Sequence, residues 1–92
     1  MFSMLEMEAV AIDRHTGERR VLRLQLSEAV WSCSDPRTQT SLSRIPWNST
    51  QLVRGGNRES LIFFQNPHHL QDWDIYVEAS KENLRILGQL NS

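Results

Sequence analysis

Alternation of apolar and polar residues is the feature that most constrains the fold of this chain. Leu22, Leu24 and Leu26 occupy every second position, with polar residues between them. This spacing is typical of a strand with one buried face, because successive side chains of a strand point to opposite sides. Residues 73–79 alternate in the same way. Residues 4–13 are also strand-like, but their apolar set moves from odd to even positions, which predicts a bulge or a strong twist.

Turn and cap signals divide the chain into hairpins and one helix. The loop from Asp13 to Glu18 contains an aspartate and a glycine that suit a hairpin turn, and Gly55-Gly56 predicts a second tight turn. Ser80 is a candidate helix N-cap, and leucines recur at helical spacing after it. The sequence therefore predicts two hairpins and a short C-terminal helix that covers the sheet.

The predicted core combines the apolar faces of these strands and of the helix. Its members are Leu22, Leu24, Leu26, Ile45, Leu61, Phe63, Ile75, Val77, Leu84 and Leu87. The three tryptophans, Trp31, Trp47 and Trp73, lie among aliphatic residues of predicted strands, so at least two of them are expected in the core.

Length and composition favour one domain spanning 1–92, since 92 residues suffice for a single hydrophobic core. No apolar run approaches the roughly 20 residues of a membrane helix, so no transmembrane segment is predicted. The first eight residues carry acids where a signal peptide would be basic. The single cysteine, Cys33, excludes an internal disulfide and is predicted to be a small packing residue. We therefore expect a cytoplasmic protein.

The fold class predicted from these elements is mainly β (α+β), a small antiparallel barrel or sandwich of about seven strands with one C-terminal α-helix. This is the element order of the pleckstrin-homology-like barrel. The second half of the chain resembles bacterial pleckstrin-homology-like domains, in which an Ile-Pro-aromatic step leads into a hairpin, a further strand and a closing helix. The residues that carry the resemblance are 44–47, 52–53, 61–64, 75–77 and 84–87. It implies a largely non-catalytic scaffold for proteins or lipid headgroups, and it transfers no specific ligand residue.

Candidate catalytic and metal-binding residues lack the partners that such chemistry needs. No recognised nucleophile signature surrounds Cys33, Ser43 or Ser49. His68 and His69 could contribute imidazole ligands, but no second cluster supplies the remaining ligands of a metal site, so a surface loop is favoured. We expect neither an enzyme nor a cofactor nor a bound metal.

Charge is distributed unevenly along the chain. Residues 14–58 carry eight arginines against three acids, a net charge of +5, between two flanking segments of −3 each. Arginine suits bidentate recognition of carboxylates and phosphates. The arginines that flank the two predicted turns form the candidate binding patch: Arg14, Arg19, Arg20, Arg54 and Arg58. The alternative is a solvated surface on which neighbouring acids pair with these arginines.

The sequence thus predicts a non-catalytic interaction module. It would bind a protein partner, or alternatively an anionic lipid headgroup, through the loops that the arginines flank. A nucleic-acid-associated small β-barrel is the second hypothesis, against which the net charge of −1 weighs. Pairing of exposed strand edges into a homodimer is a further open alternative.

Overall fold

The protein forms an antiparallel sheet and one helix in a computed structural model that describes residues 5–37, 40–41 and 44–90. The strands are β1 (Leu5–Asp13), β2 (Arg19–Leu26), β3 (Val30–Asp35), β4 (Thr40–Ser41), β5 (Ile45–Pro46), β6 (Gln51–Gly55), β7 (Leu61–Gln65) and β8 (Trp73–Glu78), and the helix is α1 (Lys81–Leu90).

The strand order β4-β3-β2-β1-β8-β7-β6 gives a seven-stranded sheet that curls into a half-barrel, and the short strand β5 pairs with β3 beside this path. Every pairing is antiparallel. Two meanders, β1–β4 and β6–β8, are joined by the pairing of β1 with β8. The predicted fold class, with one C-terminal helix after the strands, is confirmed.

The core occupies the concave side of the half-barrel and follows the alternation of β2 and β8. Seven of the ten predicted core residues are buried, namely Leu22, Leu24, Leu26, Ile45, Ile75, Val77 and Leu87. Met7, Ala9 and Ala11 of β1 are buried beside them. Met7 lies opposite Leu24 and Ala11 lies opposite Ile75, so directly paired side chains meet on one face, as the pleat of a sheet requires.

Strand β7 presents the opposite face to the one predicted. Ile62 and Phe64 are buried, whereas Leu61 and Phe63 are only half-buried on the outer side. The reason is the register, in which Phe64 lies opposite the buried Ile75 and Phe63 lies opposite Tyr76. Directly paired residues share a face, so Leu61 and Phe63 were wrongly assigned to the core.

Helix α1 begins as predicted and buries a slightly different stripe. The Ser80 Oγ accepts the backbone N–H of Asn83 at 3.1 Å, which is an N-cap hydrogen bond. Ile86 and Leu87 face the sheet, while Leu84 is 41% exposed at the edge of that stripe. The prediction that Leu84 is buried is therefore wrong.

The buried residues of strand β1 occupy every second position, without a change of face. Its register with β2 runs without interruption from Leu5 opposite Leu26 to Ile12 opposite Arg19, so the predicted bulge is absent from this pairing. Val10 and Ile12 lie on the outer face and are half-buried. Val10 lies opposite Tyr76, whose large ring accounts for apolar residues on both faces of this strand.

One tryptophan lies within the core, and the other two pack against it. Trp31 is fully buried, with its ring centroid 5.0 Å from that of Phe64 in an edge-to-face arrangement. Its indole N–H donates to the Thr50 Oγ1 at 3.1 Å. Trp47 and Trp73 are half-buried and pack against the core, so one tryptophan rather than two is fully buried.

Candidate functional site

The first turn, between β1 and β2, is organised by Asp13. The Asp13 carboxylate accepts the backbone N–H of His15 at 2.8 Å and that of Thr16 at 3.3 Å. Gly17 has a φ of +77°, which glycine adopts without a steric penalty. The hydrogen bond from the His15 N–H, supported by the one from Thr16, lowers the pKa of Asp13 below its ordinary value. The turn is thus a stable hairpin connection.

The arginines around this first turn are paired with acids or rings. Arg14 Nε lies 2.9 Å from the Asp74 carboxylate. Arg20 lies 3.4 Å from the Glu18 carboxylate, and its guanidinium carbon stands 5.6 Å from the centroid of the Trp73 ring. Arg19 donates to the Tyr76 hydroxyl at 2.8 Å. Two of these three positive charges are therefore compensated on the protein surface.

His15 adds an ion pair to the same turn. Its Nε2 lies 2.9 Å from the Asp72 carboxylate. The hydrogen bond and the negative charge of Asp72 raise the pKa of His15 above its ordinary value of 6.5. A raised pKa means that folding favours the protonated imidazolium of His15 over the neutral imidazole. The pair consequently contributes to stability below about pH 6.5, and the contribution is lost as the pH rises through the folded pKa.

We expect Asp72→Asn to lower the pKa of His15 toward 6.5, because the mutation removes the charge that stabilises the imidazolium. An NMR titration of the His15 ring protons measures this directly. Asp74→Asn is the matched control, since Asp74 pairs with Arg14 and not with His15. A His15 titration that is the same in Asp72→Asn as in the unmodified protein would contradict the assigned pairing.

The second turn, between β6 and β7, holds an unusual backbone. Gly56, Arg58 and Glu59 all have positive φ angles, of 76°, 57° and 55°. Positive φ is uncommon for residues with a side chain and costs on the order of 1 kcal/mol at each. A Cβ on Gly55 would approach the Phe63 ring to 2.9 Å, so a larger residue here would have to displace that ring. The Arg58 side chain is exposed on this turn.

The arginines of this second turn lack ion pairs among the described residues. Arg54 Nε donates to the backbone carbonyl of Glu59 at 3.1 Å, a contact that leaves its positive charge unbalanced. Among the described residues, neither Arg54 nor Arg58 has a carboxylate within 4 Å. Both residues are exposed. The β6–β7 turn therefore carries two exposed arginines without an ion pair among the described residues, beside the exposed Glu59.

The strand register places the two turns at opposite ends of the sheet. Asp13, at the end of β1, lies opposite Trp73, the first residue of β8. Leu61, which follows the second turn, lies opposite Glu78, the last residue of β8. The five predicted arginines therefore do not form one patch: Arg14, Arg19 and Arg20 lie at one end, and Arg54 and Arg58 lie at the other. The prediction of one joint patch is wrong because the two turns lie at opposite ends of β8.

A groove beside β6 was not predicted. It has a volume of about 440 Å³, and its apolar walls come from Trp47, Leu52, Leu87 and Leu90, with Glu28 at its rim. These residues belong to four separate segments of the chain, so no local sequence pattern marks the groove. Within the described part of the chain, β6 pairs only with β7, which leaves its second edge open next to the groove.

Asn66 is a second feature that the sequence did not reveal. It is buried, and its amide donates to the Ser49 Oγ at 2.9 Å and to the Thr50 Oγ1 at 3.2 Å. Its carbonyl oxygen accepts the backbone N–H of His68 and of His69. Asn66 thus fixes the loop that contains both histidines. Among the described residues, no three His, Cys, Asp or Glu side chains gather as metal ligands.

Comparisons with known proteins return no match to this chain among protein-family models, curated proteins or solved structures. None of the helices in the described residues has the length and apolar character needed to span a membrane. The function of the chain is therefore inferred from its own surface.

Proposed function

We propose that this chain is a non-catalytic interaction module that binds an acidic segment of a protein partner through the β6–β7 turn. The observation that carries the proposal is that neither Arg54 nor Arg58 has an ion pair among the described residues, although both are exposed around a turn with positive φ angles. Guanidinium groups recognise carboxylates by paired hydrogen bonds. The hydrogen bond from Arg54 to the Glu59 carbonyl orients one of the two groups before binding, which reduces the entropy lost on binding.

A protein partner is favoured over the other anionic partners by what surrounds the two arginines. The open edge of β6 and the apolar groove beside it offer backbone and apolar contacts, which a peptide can use and a phosphate cannot. Single-stranded nucleic acid would need exposed aromatic rings for stacking. The ring nearest the turn, Phe63, lies instead over Gly55 and packs at 5.4 Å from the Tyr76 ring.

The same proposal includes a relationship to pleckstrin-homology-like domains and an adaptor role in the cytoplasm. The half-barrel with its C-terminal helix supports that relationship at the level of architecture. Architecture alone does not define a ligand, so the proposed site depends on Arg54 and Arg58 and on no family motif.

Reversing both charges in Arg54→Glu/Arg58→Glu is expected to weaken binding of a glutamate-rich synthetic peptide by about tenfold or more. Thermal stability should change little, because exposed charges contribute about 0–1 kcal/mol to folding. Isothermal titration calorimetry measures the affinity, and circular dichroism measures the melting temperature. A glutamine-rich peptide of the same length serves as the uncharged control.

Arg19→Glu/Arg20→Glu is the matched control variant, since it changes the net charge equally at the opposite end of the sheet. Retained binding in Arg54→Glu/Arg58→Glu, or an equal loss in both variants, would contradict a site on the β6–β7 turn. Tighter binding of phosphatidylserine vesicles than of the peptide would make the partner a lipid. Oligonucleotide binding that exceeds peptide binding and falls steeply with salt would make it a nucleic acid.

A further inference from the structure

Strand β6 has the features of a docking edge for another strand. Within the part of the chain that the structure describes, it pairs with β7 alone, and Gln51 to Arg54 are all exposed. In such an edge strand, the N–H and C=O groups of alternate residues point away from the sheet and are free to bond to another strand. No proline within β6 removes a donor. The edge can therefore accept one further extended segment.

Two side chains on the inner face of β6, Leu52 and Arg54, offer different kinds of contact. Leu52 lies opposite the buried Phe64, and Arg54 lies opposite the buried Ile62, so both face the concave side of the sheet. Leu52 is 37% exposed and lines the apolar groove, whose opposite walls include Trp47 and Leu87. Arg54 has no acidic partner within the described residues. The edge thus presents an apolar position and a positive position on the same face.

These two positions define the order of residues in an added strand. In an antiparallel strand, the residue opposite Arg54 comes first, and the residue opposite Leu52 comes two positions later on the same face. Charge complementarity then requires an acidic residue opposite Arg54 and an apolar residue opposite Leu52. Glu28 at the groove rim repels an acid placed opposite Leu52, which fixes the register.

A second copy of this chain fits the edge poorly. Antiparallel pairing of two β6 strands around Val53 would place Leu52 of each copy opposite Arg54 of the other. The two Arg54 side chains would then be diagonal neighbours on one face, where like charges repel. Arg54 consequently disfavours self-pairing, and the charges favour a different chain.

We infer that the partner binds β6 as an added antiparallel strand containing an acidic residue, any residue and then an apolar residue, the acid pairing with Arg54 and the apolar side chain entering the groove beside Leu52. This inference rests on the proposed function, because it specifies how the acidic segment of the partner is bound. The antiparallel direction agrees with every other pairing in the sheet.

The test uses a short polythreonine peptide with one glutamate and, two residues later, one leucine. A peptide with the two residues exchanged has the same composition and is the control for direction. We expect the first peptide to bind at least about tenfold more tightly. In NMR hydrogen exchange, amides of Gln51–Gly55 that face away from β7 should exchange more slowly when it is bound.

A charge exchange tests the individual contact. Arg54→Glu should weaken binding of the glutamate peptide and strengthen binding of a peptide in which lysine replaces the glutamate. Arg58→Glu should not bind the lysine peptide more tightly than the glutamate peptide. Equal binding of both peptide orders, or no slowing of amide exchange in β6, would overturn strand addition. If Arg54→Glu and Arg58→Glu still weaken the glutamate-rich peptide in that case, the turn site stands without the added strand. If neither variant weakens it, the proposed function fails as well.

Discussion

Phe64→Ala is expected to destabilise the protein by about 3–5 kcal/mol, which is the usual cost of removing a buried aromatic ring and leaving a cavity. Phe64 is 2% exposed, and its ring contacts the rings of Trp31 and Trp47 at centroid distances of 5.0 and 6.0 Å. A small domain is stable by about 5–15 kcal/mol, so the loss would unfold a large fraction of the molecules under mild denaturing conditions. Urea denaturation followed by tryptophan fluorescence measures it.

Phe63→Ala is the matched control on the same strand. Phe63 is half-buried on the outer face, where its ring packs against Tyr76 and covers Gly55. Less apolar area returns to water, so we expect about half the loss of Phe64→Ala or less. Leu24→Ala, at a fully buried position of β2, should cost about 2–5 kcal/mol. A larger effect at Phe63 than at Phe64 would mean that the faces of β7 are reversed.

This pair of variants also marks the limit of what the sequence could predict about the core. In β2 and β8 the apolar residues alternate with polar ones, so Leu24 and Ile75 could be assigned to the buried face from the pattern alone. Residues 61–64 are apolar at every position, and such a run contains no information about which face is buried. Only the register with β8 decides, and a register is a contact between distant segments.

The candidate site depended still more on distant contacts. The turns at Gly17 and Gly56 were predictable because glycine there adopts positive φ. Their position at opposite ends of the sheet follows from the pairing of β1 with β8, which no local sequence pattern predicts. The compensation of Arg14 by Asp74 likewise joins residues sixty positions apart. Local chemistry therefore identified the arginines, and topology decided that Arg54 and Arg58 lie at the opposite end of the sheet from the ion-paired Arg14 and Arg20.

The same dependence on topology explains why the groove and the open edge escaped prediction. Leu52 looks like an ordinary strand residue, and Leu87 looks like an ordinary residue of a helix that covers a core. They become the two walls of a groove only because the half-barrel brings β6 and α1 together beside the turn at Trp47. The proposed function accordingly depends on the exposed edge strand β6 as well as on the charged residues of the sheet.

Cys33 is expected to resist thiol reagents in the folded protein. Burial raises the pKa of the Cys33 thiol from 9.0 to about 11, so about a hundredfold less of the reactive thiolate is present at pH 8. The residue is also 1% exposed, within the strand that carries Trp31. Reaction with 5,5′-dithiobis-(2-nitrobenzoic acid), followed by absorbance, should therefore be at least about a hundredfold slower than in urea-unfolded protein.

The rate of this reaction should also report on the stability of the core. Because Cys33 is buried, a reagent reaches it only when the structure around it opens, and destabilising variants populate the open form more. Phe64→Ala should accordingly accelerate the labelling of Cys33 far more than Phe63→Ala does. Arg54→Glu/Arg58→Glu should leave the rate unchanged, since it alters only exposed charges. Rapid labelling of the unmodified protein with an unchanged circular dichroism spectrum would show that Cys33 is accessible, and the face of β3 that carries Cys33 would then not be buried.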